Sequence, residues 1–186
     1  MFMAAVARPR YSEDGVVLFD GKIGIFPFIC EVEAMRSSKN REKGILEVKL
    51  IESITKDIVK QCLLEKVIIA IKAKWPLNAS GKIWIQQDNV KPHISSKDLD
   101  FLGVATSDGF DMNLISQPPN IPDLNILDLG FFRSIQSLQH KKSSKSILEL
   151  VDAVDRAYDE IDNEKLEFVW VSLYAYMNEI LRVKGQ

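Results

Sequence analysis

Several protein classes are excluded by what this sequence has little of. Two cysteines, Cys30 and Cys62, make no disulfide framework, and their spacing matches no metal motif. Both sit among apolar residues and read as buried, reduced thiols of an intracellular protein. Positive charge is not in excess: 24 Lys and Arg stand against 26 Asp and Glu, a formal net charge of -2. A stand-alone nucleic-acid-binding module is usually basic, so the balance argues against one. No apolar run approaches the roughly 20 residues of a membrane-spanning helix. The opening Met1 to Ala7 is apolar but short, and no basic residue precedes it, so it reads as neither signal peptide nor anchor. Repeats and low-complexity segments are absent as well.

What is present suits a globular chain. Apolar residues make up 46% of the 186, enough to bury a core in one domain, or one domain with a small appendage. Met1 to Ala7 reads as a buried strand, Ser12 to Gly15 as a turn, and Val16 to Phe19 as a short extended piece. Lys22 to Glu31 reads as a second strand, with Pro27 marking an edge or bulge. Glu33 to Gly44 is polar and reads as an exposed loop. Ile45 to Ile51 alternates weakly, as a strand does.

Ile54, Ile58 and Cys62, with Val59, Leu63, Val67 and Ile71, recur at helical spacing. They predict a helix over Ile54 to Trp75, capped by Ser53 or Thr55 and stopped by Pro76. Lys82 to Ile85 is a short buried strand, with Trp84 and Trp75 expected in the core. Ser95 or Ser96 is expected to cap a helix reaching Thr106, with Gly109 at its left-handed end. Phe110, Met112 and Leu114 alternate in another strand.

Pro118 to Asp123 is a rigid connector. It leads into a helix with Leu124, Leu127, Phe131, Ile135 and Leu138 on one face and a weak point at Gly130. Two amphipathic helices close the chain. The last carries Trp170, Tyr174 and Tyr176, read as packing residues on a face that also suits self-association. The order of elements implies an α/β fold, a mixed sheet with helices packed on it.

Two acids stand where chemistry would use them. Asp88 ends a buried strand, and functional side chains collect at the carboxyl ends of strands in α/β sheets. Asp128 lies about one turn into a helix, at the border of its buried face. Carboxylates from separate elements can hold two divalent cations ~3.5–4 Å apart for phosphoryl transfer. Hard oxygen ligands select magnesium or manganese. The same residues also have ordinary readings. Asp-Asn after a strand is common turn chemistry, Asp123 can cap a helix, and the helix dipole favours an acid such as Asp128 in a first turn. Asp20, Asp98 and Asp111 are candidates by residue type only.

The wording around the two acids carries a resemblance. Ile85-Gln86-Gln87-Asp88-Asn89, followed by His93, resembles the second-aspartate motif of the Tc1/mariner transposases. Gln117-Pro118-Pro119-Asn120-Ile121-Pro122-Asp123-Leu124-Asn125-Ile126-Leu127-Asp128 resembles their third-acid motif, whose ligand is the last residue. It therefore maps to Asp128 and not Asp123. The thirty-nine residues between Asp88 and Asp128 resemble the plant mariner-like branch. So do Met1 to Arg10, Gly21 to Phe28 and Leu129 to Leu138.

The resemblance implies a ribonuclease-H-like fold, with three antiparallel strands, then two parallel ones, flanked by helices. Residues 1–140 would form part of that catalytic domain and 141–186 a helical pair packed on it. It further implies Mg2+ or Mn2+ as cofactor, transposon-end DNA as partner, dimers, and a nuclear protein that cuts DNA and joins the freed 3' ends. Asp88 and Asp128 would be catalytic metal ligands. Asn89, Lys91 and His93, and Lys141 and Lys142 with His140 and Lys145, are candidate contacts to DNA phosphates. Each basic cluster, the loop Arg36 to Lys43 included, also reads as a solvated surface.

Three departures stand out. The family's first aspartate, on the strand preceding the segment that matches Met1 to Val6, has no counterpart here. Ile121 replaces the usual Ser, and Val90-Lys91 replaces Ala-Arg. The absent strand is the central one in the family's sheet. Without it, the strands from Met1 and Ile83 either pair directly or leave backbone groups unpaired. The expectation is a chain that binds one cation weakly and does not catalyse transposition alone.

Overall fold

The computed structural model describes residues 1–39, 41–76, 81–119, 121–139 and 144–183. Among these residues the chain forms a mixed α/β structure of six α-helices, the first two continuous as one rod, and four two-stranded sheets, none of them closed. β1 (Phe2–Val6) pairs antiparallel with β4 (Lys22–Pro27). β2 (Arg10–Tyr11) pairs with β3 (Val17–Phe19), and β5 (Ile29–Glu33) with β6 (Leu46–Leu50). β7 (Ile83–Gln87) pairs parallel with β8 (Met112–Ser116) through the helix α3 (Leu99–Ala105).

The long sequence pattern from Lys22 to Glu31 is therefore two strands. Pro27 ends β4 opposite Phe2, and Phe28 turns inward, 6% exposed, where the chain bends into β5. The expected continuous mixed sheet is not formed. β1 and β7 each have one hydrogen-bonded neighbour, and neither is the other's. Of the two alternatives open to strands without a shared neighbour, the chain takes the unpaired one.

Packing of side chains joins the pieces. α1 (Lys56–Cys62), a π-helical turn (Leu63–Val67) and α2 (Ile68–Lys74) run on as one rod, capped by Thr55 and ended at Trp75. Its apolar stripe meets Met3 and Ala5 of β1, Ile23 of β4, Ile83 and Ile85 of β7, and Met112 and Leu114 of β8 in one core, completed by Phe101 of α3. On the opposite face of β1, Phe2, Ala4 and Val6 meet a second core. It is built by Phe131 and Ile135 and by α5 (Ile147–Asp159) and α6 (Asn163–Arg182) through Val154, Tyr158 and Leu166. The β1–β4 pair thus has helices on both faces, which explains why β1 reads as apolar at every position. Gly130 is not only a weak point. A Cβ there would sit 3.2 Å from Val169, so the glycine lets α6 lie close.

Three burial expectations are corrected. Trp84 is 59% exposed, because helices cover only one face of β7, the face that Ile83 and Ile85 occupy. Cys30 is exposed on β5, whereas Cys62 is buried, and both thiols are free. Tyr174 and Tyr176 are exposed on α6, while Trp170 packs on the second core. Trp75 is half-buried against Phe19. No helix among the described residues is long and apolar enough to cross a membrane.

The cap of α3 is Asp98 rather than Ser95 or Ser96. Its carboxylate accepts from the Phe101 N–H at 3.2 Å and from Lys60 Nζ at 2.9 Å, which ties α3 to α1. The Lys60 ammonium, helped by the Phe101 amide, holds the Asp98 carboxyl below its ordinary value. A carboxyl lowered on folding stabilises the fold above its unfolded pKa, near 4. That stabilisation is lost as pH falls through the folded value. Asp98→Ala is expected to cost about 1 kcal/mol at neutral pH, the usual worth of a helix N-cap. Urea denaturation at pH 7 and pH 3 checks this: the difference from wild type should be present at the first and shrink at the second.

Candidate metal and nucleic-acid site

The site is built on the carboxyl end of β7. Its backbone bonds run to the β8 side at both ends: the Ile83 N–H donates to Asp111 O, and Gln87 O accepts from the Gln117 N–H. These bonds hold β7 beside β8 to the last residue of each strand, and Asp88 follows immediately. Asp88 Oδ1 accepts from the Val90 N–H at 3.1 Å, closing a tight turn, and lies 2.8 Å from His93 Nε2. The turn is fixed from both sides. His93 N–H donates to Val90 O, and Gln87 Nε2 donates to Ile94 O at 2.7 Å. Among the described residues Asp88 Oδ2 accepts no hydrogen bond, so one oxygen of the acid is available to a ligand.

Polar side chains then draw the second acid's segment toward the same strand end. Asn89 Nδ2 donates to Gln117 O at 2.6 Å. Gln117 is a buried polar side chain, 8% exposed, and its Nε2 donates to Ile121 O. Gln86 Nε2 donates to Leu124 O at 2.7 Å. After the 3-10 turn Pro122–Leu124, Asp128 opens the π-helical turn Leu127–Phe131 that leads into α4 (Phe132–Gln139). Its Oδ2 accepts from Asn125 Nδ2 at 2.7 Å, and Asn125 Oδ1 accepts from the Leu127 N–H. Asp128 is exposed rather than at the edge of a buried face.

The sequence pointed to Asp88, His93 and Asp128. It did not point to Gln86, which ties the connector to β7, nor to Gln117 and Asn125, whose side chains brace the connector itself. Two glutamines closing a short strand beside an aspartate were the available signal, since polar side chains there need partners.

The remaining candidates fall into three groups. Lys91 is exposed in the turn, and Asn89 is spent on Gln117 O. Lys141 and Lys142, with His140, lie outside the described residues. Asp20, Asp98 and Asp111 have structural work instead: Asp20 accepts from the Lys22 N–H, Asp98 caps α3, and Asp111 accepts from Asn113.

As a metal centre the donor set is thin. Among the described residues no three His, Cys, Asp or Glu side chains are grouped to hold an ion. A resident pair of cations therefore does not fit. What the geometry offers is Asp88 at the end of β7, with an imidazole on one of its oxygens, and a connector toward Asp128 that is held at the same strand end through Leu124 O. A hydrated Mg2+ or Mn2+ keeps several waters and needs only one or two carboxylates. No protein-family model, curated protein or solved structure matches this chain.

Proposed function

We propose that this chain is part of a mariner-like DNA transposase catalytic domain of the plant branch, ribonuclease-H-like in fold, and inactive alone. The observation that carries the reading is the fastening of the Asp128 segment to the end of β7 by Gln86 and Asn89, one residue to either side of the Gln87-Asp88 pair. Two motifs chosen by their wording thus meet at one place in the fold. The arrangement of β4 and β1, then β7 and β8 as a parallel pair through α3, also supports it. A ribonuclease-H-like sheet has such pairs on either side of its central strand.

In this reading Asp88 and Asp128 hold one Mg2+ or Mn2+, which would supply charge stabilisation to a phosphoryl oxygen. His93 positions the Asp88 carboxylate, and Lys91 contacts a DNA phosphate, with Lys141 and Lys142 in the same role. The partner is transposon-end DNA, and the place of action the nucleus. The same thin donor set favours a second reading, a non-catalytic transposon remnant that binds nucleic acid or self-associates.

The two readings part in one assay. The chain alone, with Mg2+ or Mn2+ and transposon-end DNA, is expected to give no strand cleavage or joining. Extended at its N-terminus with the acid-bearing strand of a plant mariner-like transposase, it should nick that DNA, and Asp88→Ala should abolish the nicking. Cleavage in neither form would remove the catalytic reading. Strand joining by the chain alone would contradict the expected inactivity.

A further inference from the structure

We propose that α6 pairs antiparallel with α6 of a second copy of this chain, through the side it turns away from the core. One side of the helix is already in use. Leu166 and Trp170 pack in the second core, Leu173 is buried one turn further on, and Val169 lies against Gly130. The opposite side carries a second apolar series. Phe168 is 71% exposed, Val171 is 50% exposed, and Ala175 is exposed between Tyr174 and Tyr176. A surface helix with one partner is polar on its outer side, and this one is not.

The order of residues along the outer side specifies what covers it. Glu164, Phe168, Val171, Ala175, Asn178 and Arg182 follow in steps of four, three, four, three and four, the spacing of a helix–helix seam. All six are exposed. The spacing reads the same from either end about the level of Leu173. A second copy laid antiparallel therefore sets Glu164 against the partner's Arg182, Phe168 against the partner's Asn178, and Val171 against the partner's Ala175. Opposite charges meet at both ends, and each larger apolar residue meets a smaller or polar one. The same register brings Lys165 beside the partner's Glu179 along one flank, and the two copies of Tyr174 together along the other. A parallel pair would set Glu164 on the partner's Glu164 and Arg182 on the partner's Arg182. The charges thus select a second copy, and the antiparallel orientation of it.

The bonds these charges make within the helix leave them available. Arg182 meets Glu179 at 2.6 Å and Lys165 meets Asp162 at 3.1 Å, with all four side chains mostly exposed. Exposed pairs of this kind contribute little, and each cation has donors left for a partner's carboxylate. On the Tyr174 flank, Arg8 holds Glu167 and lies 5.2 Å from the centre of the Tyr174 ring. That flank is therefore ordered before a partner arrives, which lowers the cost of pairing. No residue of the Asp88 site takes part in this pairing, which stands apart from the transposase reading.

A single helix pair is at the small end of interface sizes, so the dimer should be reversible in the micromolar range. Sedimentation equilibrium of the full chain at increasing concentration should show it. Phe168→Glu, at an exposed position, should weaken the dimer at least tenfold. Glu164→Arg and Arg182→Glu each turn two attractive contacts per dimer into repulsive ones, and each alone should weaken it about fivefold. The double variant restores opposite charges at both ends and should dimerise as the unmodified chain does. A chain that stays monomeric, a dimer indifferent to Phe168→Glu, or a double variant no tighter than either single one would each overturn the proposal. Phe168→Ser, which adds no charge, keeps the test valid if Phe168→Glu alters the helix by circular dichroism.

Discussion

Phe101→Ala is expected to lower the free energy of unfolding by about 3–5 kcal/mol, the range for truncating a fully buried aromatic. Phe101 is 0% exposed and sits where α3 presses on the core that Ile23, Ile83, Met112 and Leu114 share. In an ordinary sheet, ladder hydrogen bonds would hold the strands together if one side chain were lost. Here no ladder joins the β1–β4 pair to the β7–β8 pair, so packing is what keeps the halves in one body. Domains of this size have about 5–15 kcal/mol in total. The variant should therefore lose a large part of that stability, with an earlier and broader urea transition by circular dichroism. A loss under about 1 kcal/mol with an unchanged transition would mean that the halves are held together by something else.

The second large effect concerns the cation. Asp88→Asn and Asp128→Asn should each weaken Mn2+ binding at least tenfold in isothermal titration, because each removes one of two carboxylates where the described residues group no third acid. His93→Ala should act in the opposite sense. It releases the Asp88 Oδ1 that His93 Nε2 now approaches at 2.8 Å, so binding should tighten. Asp123→Asn is the internal control. Asp123 lies in the same connector but is not the acid placed at the start of the π-helical turn, and the substitution should leave affinity unchanged. Equal effects at Asp123 and Asp128 would reduce the site to general surface charge.

The residues that made elements legible were those whose periodicity answers to one core. Ile54 to Ile71 predicted the helical rod because its stripe stays on one buried side, the first turn against Phe28 and the later turns in the larger core. The π-helical turn inside it, Leu63–Val67, leaves no mark in a pattern of apolar spacing. Ser95 and Ser96 looked like caps by type, yet Asp98 is the cap because Lys60, thirty-eight positions away, fixes its carboxylate. Trp84 was expected inside because it follows Ile83 in an apolar run. A strand with one covered face turns every second residue outward, and which face is covered depends on helices far along the chain.

For the candidate site, the sequence marked the acids and His93, whose bond to Asp88 spans five positions. It was silent on Gln86 and Leu124, since contacts of that kind are set by the path of the connector and not by local composition. The split between the two main sheets was foreseeable only as one of two outcomes. Nothing local to β1 or β7 decides whether two strands will close on one another.

In the transposase reading one cation touches both acids. Titrating Mn2+ into the isotope-labelled protein and following paramagnetic broadening of its amide signals tests this directly. The amides of Asp88 to Val90 and of Leu127 to Leu129 should broaden together, at the same metal concentration, and Asp88→Asn should remove both effects at once. Broadening that reaches one group without the other, or that survives Asp88→Asn around Asp128, would show that the two carboxylates serve no common ion.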